Sequence, residues 1–164
     1  MPEVTPKAHD EGLVERLVLS GEHSAMEVLE TIGALAVDGD WEGMWSIADM
    51  MGREVSVLFD SEMRVWVDVG SAGQVKITPP LGSTIPFRLW IHTHPWNAYW
   101  SSTDLITIAS HSQILERALV LGFDHMKSTE RSEQPPARSL GDGPLLLWSD
   151  EPVLRYEEVP VQNV

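Results

Sequence analysis

The spacing of apolar residues along the 164-residue chain changes period several times. Between Ser24 and Val37 they fall at Met26, Val28, Leu29, Ile32, Leu35 and Ala36, close to a helical repeat. Ser24 with Glu27 three residues on makes a candidate capping box. Asp38-Gly39-Asp40 then breaks the helix. LVERLVLS (13–20) reads as a short strand, and WEGMWSIADM (41–50) and REVSVLFD (53–60) as two strands joined at Met51-Gly52. MRVWVDV (63–69) and QVKITPP (74–80) flank a Gly-Ser-Ala-Gly turn as a hairpin. A loop at 79–86 leads into FRLWIH (87–92), an apolar strand that ends at a histidine.

The second half is read in the same way. LITIASHSQILERAL, after Asp104, has the length of a helix running to Glu116, and ALVLGF (118–123) reads as a buried strand. Residues 125–143 are polar and punctuated by Pro and Gly, which predicts a mobile functional loop. PLLLWSD and VLRYEEV read as a closing hairpin. The pattern predicts an α/β domain with hairpin-connected strands spanning 13–164, preceded by a flexible lead-in at 1–12. It is not a regular βαβ alternation.

Composition narrows the function classes. A formal net charge of −14, with three lysines and eight arginines, argues against nucleic acid, whose phosphates are bound by clustered positive charge. The absence of cysteine excludes disulfides, thiol catalysis and thiolate zinc sites. A metal would be held by histidine, carboxylate and water. No apolar stretch approaches the ~20 residues of a membrane span, and MPEVTPKAHDEG lacks the basic start and apolar segment of a signal peptide. The expectation is a soluble cytoplasmic protein with no membrane partner.

The stretch WIHTHPWNAYWSSTD (90–104) carries the chemistry. Residues two apart on a strand point to one side, so His92 and His94 aim both imidazoles at a common point, as the first two ligands of a catalytic zinc must. Pro95 ends strand pairing. Asp104, nine residues further on, opens a helix from which its carboxylate is a candidate third ligand. Two histidines and one aspartate leave a fourth position for water, whose pKa a metal lowers to about 7. Trp96, Tyr99 and Trp100 give the loop an aromatic face that fits the wall of a substrate groove, or that packs back on the core. His111 and His125 read as solvent, core or surface histidines.

His92-Thr93-His94-Pro95 followed by Ser101-Ser102-Thr103-Asp104 resembles the signature of the JAMM (MPN+) zinc metalloprotease family: His-Ser/Thr-His-Pro, a spacer, then Ser-x-x-Asp. The spacer here, WNAYW, has five residues where the family pattern has six. The resemblance implies an MPN, cytidine-deaminase-like fold, a curved and mostly antiparallel sheet sandwiched by helices. It implies Zn2+ held by His92, His94 and Asp104, with Ser101, or its neighbour Ser102, donating to the oxyanion. It also implies an upstream glutamate at a strand start as general base. Glu42 fits that position best on the strand reading of 41–50, ahead of Glu27, Glu30 and Glu54. The activity implied is hydrolysis of an isopeptide or peptide bond at the C-terminal tail of ubiquitin or a ubiquitin-like protein. The alternatives are a JAMM peptidase acting on another carrier protein or peptide, and a non-catalytic MPN scaffold that binds partners.

Overall fold

The computed structural model describes residues 1–70 and 79–159. Its centre is a seven-stranded sheet in the order β1-β3-β2-β4-β5-β6-β7, formed by β1 (Glu3–Val4), β2 (Val55–Phe59), β3 (Val65–Val69), β4 (Leu89–Thr93), β5 (Arg117–Leu121), β6 (His125–Glu130) and β7 (Leu154–Arg155). Every neighbouring pair is antiparallel except β4 and β5, which run parallel. Helix α4 (Ser102–Ser110) makes the crossover between those two strands. The domain is therefore a mixed α/β protein, as the sequence pattern predicts.

Alternation along the central strands separates two cores. Val55, Val57 and Phe59 of β2, Leu89 and Ile91 of β4, and Leu119 and Leu121 of β5 face helices α1 (Glu11–Leu19), α2 (Met26–Asp38) and α3 (Trp41–Met51). Leu58, Trp90 and Ala118 point the other way, into a smaller cluster with Ile108 of α4, Phe87, Leu115 and Trp148. Helical layers thus cover both faces of the sheet. No helix among the described residues is long and apolar enough to cross a membrane.

Several elements differ from the sequence reading. LVERLVLS is part of a helix: Val14 and Val18, four apart, are its buried stripe, and Asp10 caps it by accepting from the Leu13 N–H at 3.1 Å. WEGMWSIADM is also a helix. Trp41, Met44, Trp45 and Ala48 are buried at helical spacing, Asp40 accepts from the Gly43 N–H at 2.9 Å, and Gly52 ends the helix at φ 66°. The long helix α2 is where the periodicity puts it, but Ala25 is its N-cap and no Ser24–Glu27 capping box forms.

Residues 1–12 are tied down rather than a loose lead-in. Glu3 and Val4 pair with Trp66 and Val65, and the His9 N–H donates to Thr31 Oγ1. The helix after Asp104 ends at Ser110, short of Glu116. The first part of the expected 125–143 loop is strand β6, which lies next to the short edge strand β7 and buries fully only Met126 and Thr129. The expected closing hairpin is a 3-10 turn at Gly143–Leu147 and the short β7, which pairs with β6. The partner expected for β3 at 74–80 lies mostly outside the described residues.

Candidate metal centre

Strand β4 is buried at all five positions and brings the two histidines to its C-terminal end. His92 and His94 are 1% and 6% exposed, and Asp104 reaches them from the first turn of α4 at 5% exposure. His92 Nε2 lies 3.0 Å from Asp104 Oδ1, and His94 Nε2 lies 3.0 Å from Asp104 Oδ2. One carboxylate is therefore shared between two imidazoles, and the three ligand atoms lie within 4.8 Å of one another. The group can hold a metal ion.

The start of α4 fixes where the aspartate sits. Ser101 is the N-cap: its Oγ accepts from the Asp104 N–H at 3.1 Å, and its own N–H donates to Asp104 Oδ2 at 3.0 Å. This is a reciprocal capping box. Ser101, not Ser102, fills that role, while Ser102 is the exposed first residue of the helix. Burial alone would push the Asp104 carboxyl up, but the imidazoles of His92 and His94, with the Ser101 N–H, hold it well below the usual carboxylate range. It stays ionised, as a metal ligand must.

His92 is the unsatisfied member. Nε2, although close to Asp104 Oδ1, is out of line for a hydrogen bond, and Nδ1 also has no partner among the described residues. Burial depresses the pKa of this imidazole, against the attraction of Asp104 and with the repulsion of His94, so it is kept neutral. A neutral, buried imidazole with an orphaned nitrogen beside an ionised carboxylate suits a metal ion better than it suits an apolar core.

Glu42, the expected general base, is not among the residues lining the cavity beside His94. Glu42 stands exposed in the first turn of α3 and lines a separate cavity of about 400 Å³ with Asp124, Arg155 and Tyr156. The strand reading of 41–50 sets it at a strand start, whereas it stands in the first turn of a helix, and none of His92, His94 and Asp104 lines its cavity. Glu54 holds the position that the strand reading gave to Glu42. It immediately precedes β2, whose Ser56 pairs with His92, so continuing the antiparallel register sets Glu54 opposite His94. With Trp45, Ala48, Arg53, Thr93 and His94 it lines a cavity of about 110 Å³. Its carboxyl is pushed up, first by burial; the positive potential of His94 opposes this and the charge of Asp104 adds to it. The sequence signal for Glu54 was its place at the head of the strand REVSVLFD.

The aromatic loop divides. Trp96 and Tyr99 are exposed, and the Tyr99 ring stands edge-on to His94 with centroids 4.7 Å apart. Trp100 instead packs toward the smaller core, its indole nitrogen buried and unpartnered among the described residues. Sequence reasoning missed Phe123, an exposed ring 6.4 Å from Trp96 and 5.4 Å from Trp45, which extends the aromatic face beside the site.

His125 also has a role that the sequence did not show. Its Nε2 accepts from the Ala98 N–H at 2.9 Å while Nδ1 donates to Asp124 at 2.7 Å, so it pins the loop between the ligands. His111 caps its own helix, Nδ1 donating to the Thr107 carbonyl at 2.7 Å, and takes no part in the ligand group. Comparison of the chain with protein-family models, with curated proteins and with solved structures gives no match, so the site rests on its own geometry.

Proposed function

We propose that the protein is a JAMM-type zinc metallohydrolase with an MPN fold that cleaves an isopeptide or peptide bond. The observation that carries this reading is the buried His92–His94–Asp104 set with a half-buried glutamate, Glu54, lining the cavity beside it. His92, His94 and Asp104 would hold the ion. Zinc in a site of this kind acts as a Lewis acid and brings a bound water within reach of ionisation at neutral pH.

The remaining chemistry belongs to the chain. Glu54, in place of Glu42, accepts a proton from the attacking water and returns it to the leaving amine; partial burial suits a carboxyl to both duties. Ser101 keeps its hydroxyl hydrogen while its oxygen caps α4, which leaves a donor for the oxyanion of the scissile carbonyl. Trp96 and Tyr99, continued by Phe123, form an exposed aromatic wall for an extended chain, and Tyr99 touches His94. The substrate proposed is the C-terminal tail of ubiquitin or a ubiquitin-like protein, met in the cytoplasm.

Metal analysis and a cleavage assay test the proposal together. The purified chain is expected to carry about one zinc ion, lost in His92→Ala, and to cleave a ubiquitin-like fusion until a chelator is added. Absence of bound zinc overturns the enzyme reading and favours a partner-binding scaffold. Zinc without cleavage of any such fusion, but with cleavage of other peptides, overturns the substrate alone.

A further inference from the structure

A metal-bound imidazole is ordinarily oriented by a hydrogen bond from its second nitrogen to a carbonyl, carboxylate or water. His92 has no such partner among the described residues, because Nδ1 is buried and unpaired. What it has is a stack. The Trp90 indole lies almost parallel to the His92 ring, with centroids 4.2 Å apart and planes 13° from parallel. Both side chains are essentially inaccessible to water. They are two apart on β4 and therefore on one side of the sheet.

The indole is itself held. Trp90 Nε1 donates to Ser56 Oγ at 2.8 Å, and Ser56 is the residue paired with His92 across the β2–β4 ladder. The stacked pair is thus anchored at both ends to the same rung of the sheet. Trp100 also lies near the imidazole, at 6.1 Å, but its plane is tilted by 46° and does not align with it.

We propose that Trp90 is a positioning residue for the metal ligand His92, setting the plane of its imidazole by stacking where a hydrogen bond donated by Nδ1–H would ordinarily do so, and that Ser56 fixes Trp90. The inference rests on the reading of His92, His94 and Asp104 as a metal site. With no acceptor for Nδ1–H among the described residues, His92 would be a less basic ligand to a bound ion than a hydrogen-bonded imidazole.

The test uses the full chain, stripped of metal and titrated with Zn2+ against a chromophoric chelator, and with Co2+ followed by its visible absorption. Trp90→Phe retains an aromatic stack and is expected to bind zinc within about threefold of the unaltered chain, whereas Trp90→Leu is expected to weaken it about 10- to 100-fold and to alter the cobalt spectrum. The metal-free thermal midpoint, measured alongside, reports packing alone. Equal weakening by Phe and Leu, or zinc affinity and a cobalt spectrum unchanged in Trp90→Leu, overturns the proposal.

Should Trp90→Leu fail to fold, Ser56→Ala decides. It is expected to lower zinc affinity and shift the cobalt spectrum in the same sense, and unchanged values overturn the proposal. If the unaltered chain binds neither ion, the metal-site reading falls as well. If it binds both and the variants match it, only the role of Trp90 falls.

Discussion

Trp45 Nε1 donates to the main-chain carbonyl of His94 at 2.8 Å, joining helix α3 to the end of strand β4 across 49 positions of sequence. Both residues are buried. The segment expected to be a strand bearing the proton shuttle is instead a helix that holds the His94 main chain in place. Trp45→Phe keeps an aromatic ring, though a smaller one, and leaves a buried carbonyl without its donor, at an expected cost of about 1–3 kcal/mol from the lost hydrogen bond alone. Urea denaturation of the metal-free chain measures it, and an unchanged midpoint would show that water takes the indole's place.

The assignment of the proton shuttle separates two carboxylates. On the proposed hydrolase reading, Glu54→Gln is expected to lower turnover by about 10²- to 10⁴-fold with zinc content retained, because His92, His94 and Asp104 are untouched while the proposed proton carrier is lost. Glu42→Gln, altering a side chain in the other cavity, is expected to leave turnover unchanged. Side-by-side assays on one substrate decide between them; the reverse pattern would restore Glu42.

The grouping of His92, His94 and Asp104 is legible in the sequence because His-x-His on a strand and Ser-x-x-Asp at a helix start are local devices, each fixed within a few residues. The pairing of β2 with β4 is not local, so nothing within REVSVLFD announced that Glu54 would lie beside His94. At 41–50 the helix shows in Trp41, Met44, Trp45 and Ala48, which stand at helical spacing between an Asp cap and a Gly stop. In LVERLVLS the helical stripe is only two residues, Val14 and Val18, too short a run to separate helix from strand by spacing. Likewise, the polarity of 125–130 marked an edge-side strand and not a loop.

The loop between the ligands is packed tightly against the turn after β5. A Cβ added at Gly122 would stand 2.7 Å from both the Ala98 nitrogen and the Trp96 carbonyl oxygen. Backbone cannot yield as a side-chain tip does, so Gly122→Ala is expected to destabilise the protein by about 1–3 kcal/mol. Metal affinity should fall with it, since the displaced segment leads directly into Ser101. Calorimetric melting and zinc titration check both; a normal melt with normal affinity would show that the loop adapts.

Asp60 predicts a pH dependence of folding independent of any metal. Burial opposes ionisation of this inaccessible carboxylate, but the N–H groups of Arg64, Thr84 and Glu62 and the Trp66 indole hold its pKa below the ordinary value. Arg64 Nε also meets it at 3.0 Å. A depressed folded-state pKa contributes stability that is fully present above the unfolded carboxylate range and lost as pH falls through the folded value. Asp60→Asn is therefore expected to be less stable than the parent by about 1–3 kcal/mol at neutral pH. The gap should close on acidification, which urea melts from pH 7 downward would follow. A gap independent of pH would mean that shape, not charge, holds the turn.

The reciprocal cap between Ser101 and Asp104 has a bearing on how the loop acts on the carboxylate. Because the carboxylate belongs to the third position of a helix, its location is measured from the helix start and not from the strand that carries the histidines. A change in the five intervening residues therefore reaches Asp104 only through Ser101, the residue at which the loop, held at Ala98 by His125, enters the cap. Lengthening or shortening that loop would be felt at the carboxylate only so far as it moves the start of the helix.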